Sequence, residues 1–568
     1  MSSSLHPFPA EKTRVIHLRG TDRQIGRQHA EAVGPPVTQG MPKLYYDFWK
    51  RILEMKPQGL LEGAIQRTAR LLIDPILVGR LQSKIPDLAE NRIRGIVDVT
   101  GIPYEEMICA VILPDLLPLL QALLVRFQPG TFIPPSVPRF GCTSFVAQGK
   151  NFFHGRNLDF PGVSYWDRYP VIQAMERKNS LRYIGFTTAG VPLAGITGIN
   201  EEKISVSLHQ HYCREFSLNG KLPFVTAEEV LGTARSLPDA LRIIQSSRVA
   251  TSWAFVVVDG KNKTGFVCEC QPDVCGVRYL SPDGVLAHSN YFQTPECRSG
   301  EYATSARMNW DNYWRRERLE TLVSEAGKSL DIETAVKMVS DHFDPFFGEE
   351  KIINRTVSQL YNIQSLVFDY DEMKVLMAEG NSPIHLREYR EYDLGEIFAG
   401  RNGSTGRTVP GFRFSNPAKA KAKEAYVLSF VAAFDGNLDL AFQVGRQALE
   451  LDFCPEVAQV MSVVGLKLGQ LPLALEWLQR AKTLLEETVA KQPQGKLPPE
   501  YFEIVIFLGR ALDLSGNRSQ AMALYREVGG HPDLEDNHLR QIALRARKFD
   551  SKALSRILMP YSSYIPFE

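Results

Sequence analysis

Cys142, Arg156 and Asp159 fall within one short stretch, Phe140 to Phe160, of a 568-residue chain. A free thiol has a pKa of roughly 8.5, so only a small fraction is the nucleophilic thiolate at neutral pH. It needs a base or a cation beside it. Cutting the Gly141-Cys142 peptide bond would supply one, because Cys142 would gain a free α-amine of ordinary pKa about 7.7 to 8.0 next to its own sulfur. That amine could take the thiol proton, while Arg156 favours the thiolate and Asp159 holds the amine. The same residues also suit a buried hairpin with one packed cysteine and a structural Arg-Asp pair, since free cysteine is commonly a small core hydrophobe.

The elements that must position them read as two short strands rich in Phe and Val, hinged at Gln148-Gly149-Lys150-Asn151, a composition suited to a tight hairpin. Folding brings the end of the second strand back beside Cys142. The register stays open, because moving the turn by one residue sends Arg156 to the other face.

The run Cys142-Thr143-Ser144-x-Val146-Ala147-Gln148 followed by His154-Gly155-Arg156-Asn157-Leu158-Asp159 resembles the opening hairpin of the cysteine N-terminal nucleophile (Ntn) hydrolases. These include acid ceramidase and N-acylethanolamine acid amidase, the isopenicillin N acyltransferase (peptidase C45) group and the choloylglycine hydrolases. Leu18-Arg19-Gly20-Thr21 with Ile25-Gly26-Arg27-Gln28-His29, and Ile85-Pro86-Asp87 leading to Ile93-x-Gly95 and Gly101-Ile102-Pro103, are similar to the C45 group in particular. The resemblance implies cleavage of linear amides once an autoproteolytic cut, or loss of a leader, exposes the cysteine. It implies an α+β fold, a four-layer αββα Ntn-hydrolase sandwich over 13 to about 395, and no metal or organic cofactor.

The same resemblance assigns further residues. Gly284-Val285-Leu286-Ala287-His288-Ser289-Asn290 is similar to the family phrase that ends in a catalytic-site Asn, which makes Asn290 a donor to the oxyanion of the tetrahedral intermediate. Gly198-Ile199-Asn200-Glu201-x-x-Ile204 is similar to the turn into an inner strand, with Lys203 where relatives often carry Gly. At the end of that strand, where relatives frequently carry Asn, this chain offers His209, Gln210 and His211 as oxyanion or substrate contacts. Asp311-Asn312-x-x-Arg315 is similar to Asp-Ser-x-x-Arg. Arg315 is therefore a candidate second cation near the cysteine or the substrate, or else part of a solvated helix face with Arg316 and Arg318.

Composition is that of an ordinary globular protein, with 44% apolar and 23% charged residues. The formal charge of +1 gives no footprint for nucleic acid or a membrane surface. Met1 to Pro9 lacks the apolar core of a signal peptide, and no later run approaches the ~20 apolar residues of a membrane span, so a cytoplasmic location is expected. Eight cysteines suggest no disulfide ladder. Cys268, Cys270 and Cys275 could be read as metal ligands, but Phe266-Val267-Cys268-Glu269-Cys270 alternates like a strand and lacks the two-residue knuckle spacing, so no metal is expected there.

The length implies two or three domains. These are a mostly helical pro-segment over 1–141, the hydrolase domain over 142–395, a linker over 396–420 and a helical domain over 421–568. Helical periodicity runs from Leu44 to Met55 and from Leu60 to Ile73. Leu113 to Val125, apolar all round and broken by two prolines, is either buried core or a wall of an acyl-chain groove. Gly436-Asn437-x-x-x-Ala441, Gly469-Gln470-x-x-x-Ala474 and Gly516-Asn517-x-x-x-Ala521 recur at steps of 33 and 47 residues, and resemble tetratricopeptide (TPR) repeats. Such repeats would bind a peptide or a sister subunit, or merely cap the hydrolase domain. Two functions follow. One is an autoproteolytic cysteine amidase or acyltransferase acting on an N-acyl amine, an N-acyl amino acid or a short peptide; the other is a scaffold whose repeats bind a partner while an uncut hydrolase fold is inert.

Overall fold

The computed structural model describes residues 9–45, 87–108, 111, 114–115, 118–119, 122, 141–160, 162–282, 284–301, 305–492, 495–535 and 537–557. The helices expected over 46–73 and most of the apolar and proline-rich run 113–138 lie outside them. In chain order the strands begin β1 (Arg14–Gly20), β2 (Gly141–Gln148), β3 (Phe152–Asp159), β4 (Pro170–Arg177), β5 (Tyr183–Thr188), β6 (Thr197–Asn200), β7 (Ile204–Gln210) and β8 (Trp253–Asp259). They continue β9 (Thr264–Gln271), β10 (Val274–Tyr279), β11 (Val285–His288), the minor pair β12 (Phe343–Asp344) and β13 (Glu349–Glu350), β14 (Asn362–Asp369), β15 (Lys374–Ala378), β16 (Glu388–Asp393) and β17 (Ser404–Pro410).

Two sheets result, one of eight strands in the order β1-β4-β5-β6-β7-β8-β9-β10 and one of seven in the order β11-β2-β3-β14-β15-β16-β17. Their central strands β3, β7 and β14 are buried on both faces because both faces are covered. Between the sheets, Ile172, Ile184 and Val256 meet Phe152, Leu366 and Phe368, each such side chain contributing about 1.5–3 kcal/mol when fully buried. Of the helices, α1 (Asp22–Val33) and α2 (Asp87–Thr100) precede the hairpin, and α3 (Pro223–Thr233), α4 (Leu237–Ser246), α5 (Ala306–Ala326) and α6 (Ile332–Val339) follow it. Helices α3 and α4 pack on the eight-stranded sheet, and α5 and α6 on the seven-stranded one. The layering is αββα, an α+β arrangement.

The segment before Cys142 is more than helix. Strand β1 pairs in parallel with β4 at the sheet edge, and α1 starts on a Thr21-Gln24 capping box. Helices α1 and α2 touch through Gly26 and Gly95, where an added Cβ would lie 2.1 Å and 2.2 Å from backbone of the other helix. The stretch expected to be a linker also holds structure: β17 pairs with β16, anchored by the buried Val409, because the Gly- and Arg-rich sequence still offers a ladder of backbone groups to an open sheet edge.

Beyond it come α7 (Pro417–Phe434), α8 (Leu438–Leu451), α9 (Pro455–Lys467), α10 (Leu471–Val489), α11 (Pro499–Leu514) and α12 (Arg518–Gly530). Gly436, Gly469 and Gly516 turn each pair with φ of 81°, 75° and 84°, a region open to glycine at little cost. Ala441, Ala474 and Ala521 are fully buried at the crossings. Helices α9 and α11 are buried on almost every side, since one face packs on neighbouring helices and the other on the two-sheet body. Buried ion pairs join the two parts: Lys351 to Glu456 at 2.6 Å, Arg355 to Glu500 at 2.7 Å and Arg307 to Glu503 at 3.0 Å. Among the described residues no helix is long and apolar enough to cross a membrane.

Candidate active site

The hairpin register pairs Gly141 with Asp159, Cys142 with Leu158 and Ser144 with Arg156, leaving a three-residue turn between Gln148 and Phe152. Directly opposed residues share a face. Arg156 therefore lies on the inner face with Cys142, and Asp159 on the outer face behind Gly141. Gly141 sits so close to that carboxylate that an added Cβ would be 3.2 Å from Asp159 Oδ2. At Gly155 an added Cβ would strike the Phe145 ring at 2.2 Å, so the hairpin packs under α6 only with glycine there.

Polar groups converge on the backbone of Cys142. Its N–H donates to Asn290 Oδ1 at 2.7 Å, and its carbonyl accepts from Arg315 Nη1 at 3.3 Å. The other Arg315 nitrogen, Nη2, donates to Asn290 Oδ1 at 3.1 Å and Asn312 Oδ1 at 2.5 Å. Nη1 also reaches Asp159 Oδ2 at 3.4 Å, whose partner oxygen Oδ1 accepts from Asn362 Nδ2 at 2.8 Å. Arg156 donates to the Leu208 carbonyl of β7 at 2.6 Å, which ties the hairpin to the opposite sheet. Cys142, Arg156, Asp159, Asn290 and Arg315 are all buried.

Burial pushes the Cys142 thiol above its ordinary range; Arg156 pulls it down, Asp159 pushes it up and Arg315 pulls weakly down. Burial likewise raises the Asp159 carboxyl, against the pull of Arg315, Asn362 and Arg156. With its peptide bond intact, the thiol is therefore held in its protonated form and gives up its proton only as it reacts.

His209, Gln210 and His211 do not act alike. His209 Nε2 meets Ser144 Oγ at 2.9 Å, one inner-face position deeper than Cys142. Gln210 turns its side chain away, donating to the Pro114 carbonyl at 2.9 Å, while its own carbonyl accepts from Asn290 Nδ2 at 2.9 Å. His211 pairs with His288 at 2.9 Å. Together with His154, Ser207 and Ser205, these histidines form a polar layer between the sheets, and burial depresses the pKa of each one.

Sequence reasoning did not single out Asn362 or Thr143, whose Oγ1 accepts from Arg315 at 3.2 Å. Asp311, quoted with Arg315 in the Asp-Asn-x-x-Arg motif but given no role, lies 3.3 Å from Arg315 Nε, at the i, i+4 spacing that pairs charges on a helix. Asn362 had no such signal, because its place opposite Asp159 comes from strand pairing alone. Lys423 of α7 is buried near the same carboxylate, donates to the Ser358 carbonyl at 3.3 Å and meets His342 Nε2 at 2.9 Å. It holds the loop that leads into Asn362.

An apolar cleft lies on the Gln210 side, lined by Met41, Tyr45, Val111, Pro114, Trp166 and Phe224 among others, with about 440 Å³ of space including its open mouth. Away from the hairpin, Cys268, Cys270 and Cys275 bring three sulfurs together on β9 and β10.

A family model described as acyl-coenzyme A:6-aminopenicillanic acid acyl-transferase matches residues 146–383. The matched region begins just after Cys142 and takes in Arg156, Asp159, Asn290 and Arg315. An uncharacterized protein of Archaeoglobus fulgidus is similar to the chain at 24% identity over 395 residues, covering 62% of each. The chain thus spans less than two thirds of the length of that curated relative.

Proposed function

We propose that this chain is a cysteine acyltransferase or amidase of the Ntn type, activated by its own cut before Cys142. The observation that carries the reading is the set of buried Asn, Arg and Asp groups gathered on the backbone of Cys142. A packed structural cysteine needs no such partners, and burying each charge costs several kcal/mol unless it is paired. The match to an acyl-transferase family supports an acyl-transfer or amidase kind of activity.

In activation, Cys142 Sγ attacks the Gly141 carbonyl carbon, the C–N bond breaks and the thiol proton passes to the departing nitrogen. Water then hydrolyses the thioester, leaving a Gly141 carboxylate and a Cys142 α-amine. Asn290 Oδ1 and Asp159 hold that nitrogen, and Arg156 favours the thiolate. In turnover, the amine takes the thiol proton, Sγ attacks a linear amide, and the amine returns the proton to the leaving nitrogen. The Asn290 amide is the oxyanion donor. Water or a second amine then releases the acyl group from the Cys142 thioester. Pro114 belongs to the run read from sequence as core or groove wall, and the apolar cleft it helps line suits the acyl half of the substrate. In the TPR-like reading of the helical part, the buried faces of α9 and α11 make it a cap on the two-sheet body.

Incubation of purified protein with a panel of N-acyl amines, N-acyl amino acids and short peptides, followed by intact-mass spectrometry, tests this. An acyl adduct on Cys142 is expected. An uncut chain that carries no adduct with any of them, Cys142 thiol intact, favours the scaffold reading.

A further inference from the structure

Strands β9 and β10 form the edge of the eight-stranded sheet, and Cys270 and Cys275 are directly paired across them. Cys268, two residues back on β9, shares their face. The Cys268 and Cys270 sulfurs are 3.6 Å apart, and those of Cys270 and Cys275 are 2.7 Å apart. All three lie within 4.8 Å of one another. Cys268 and Cys270 are buried and Cys275 is partly exposed, so the cluster opens to solvent on one side. The residue between the two β9 cysteines points the other way: Glu269 accepts from Thr294 Oγ1 at 2.7 Å and from the Gln293 N–H at 2.9 Å. The nearby Cys297 sulfur is taken up by the Glu269 carbonyl at 3.3 Å.

A Cys270-Cys275 disulfide would use two of these sulfurs and leave the third without a role. Three sulfurs at bond lengths of about 2.3 Å around one tetrahedral ion would sit about 3.8 Å apart, close to the Cys268-Cys270 spacing. A small rotation of the partly exposed Cys275 brings its sulfur to the same distance. We propose that Cys268, Cys270 and Cys275 form a three-thiolate site for a soft d10 cation of the zinc(II), cadmium(II) or copper(I) kind, with a fourth position open beside Cys275. Soft thiolates select such ions over magnesium or calcium. Binding forms three sulfur–metal bonds as thiol protons leave to solvent, with no electron transferred. The sequence argued against a metal because the third ligand stands on the next strand, not at knuckle spacing.

The full chain, reduced and stripped with EDTA, is titrated with cadmium(II) and followed by near-ultraviolet thiolate-to-cadmium absorption. The site predicts a band that saturates at one equivalent, survives Cys142→Ala, and is lost in Cys268→Ser and Cys275→Ser. If a serine variant fails to fold, alkylation of wild-type protein with iodoacetamide replaces it, and cadmium should protect the partly exposed Cys275. No band at one equivalent, a band unchanged in Cys268→Ser, alkylation unaffected by cadmium, or a Cys270-Cys275 disulfide that persists under thiol reductant would each overturn the proposal.

Discussion

Asn290 is where the two sheets meet the nucleophile: its carbonyl oxygen receives the Cys142 N–H and its amide reaches the Gln210 carbonyl of β7. Replacing it by alanine removes an oxyanion donor and an anchor for the Cys142 nitrogen. We expect Asn290→Ala to lower kcat by about a hundredfold or more, read as turnover of a substrate that labels Cys142; an unchanged kcat would move the oxyanion site elsewhere. At this scale much was legible. Cys142, Arg156 and Asp159 were nameable from thiol chemistry, which restricts the neighbours that make sense, and Asn290 and Arg315 only from motifs that resemble a known family. Asn362 was not, since it reaches Asp159 from more than 200 residues away.

Among the elements, the hairpin was readable but its register was not. Three turn residues put Arg156 beside Cys142, and sequence could equally place it on the far face. Strand β17 shows a second limit, as it is seated by an edge that other strands create. The polar layer between the sheets has a measurable consequence. Burial holds His154 at a pKa of about 3, His211 at about 3 and His29 at about 4, and pushes His209, His288, His342 and His385 well below the ordinary value. Below about pH 6.5 the unfolded chain protonates these rings and the fold does not, so stability falls as pH drops, by up to about 1.4 kcal/mol per pH unit for each ring. Asp115 and Glu301, raised by burial to about 7, act oppositely over the same window, and burial also raises Asp159, Glu269, Glu320, Asp341, Asp369, Asp452 and Glu503, which oppose the histidines towards its acid end. Near the ordinary histidine pKa the seven rings dominate, so the urea midpoint should fall between pH 7 and pH 6; a constant or rising midpoint there would mean the rings are not buried neutral.

For the whole molecule, the helical part and the two-sheet body are joined by charges that neither could bury alone. Arg355 lies between Asp344 and Glu500 and over the rings of Phe346 and Phe347. Glu500→Ala leaves that guanidinium buried with half its compensation, and we expect a loss of about 3–5 kcal/mol in chemical denaturation. A loss near zero would mean that the helical part only rests on the body. The repeat spacing pointed to paired helices, yet the burial of α9 and α11 was invisible in it, because their apolar pattern does not say which neighbour covers them.

The account turns on the Gly141-Cys142 bond, and end-group sequencing with intact mass of the purified wild-type chain tests it most directly. The expected result is pieces of about 16 and 48 kDa, the larger beginning at Cys142 and the two migrating together on a sizing column because β1 stays in the sheet and Arg92 stays paired with Glu228. In Cys142→Ala the chain should remain whole. A wild-type chain that keeps its full 63.9 kDa while turning over an amide would contradict the account.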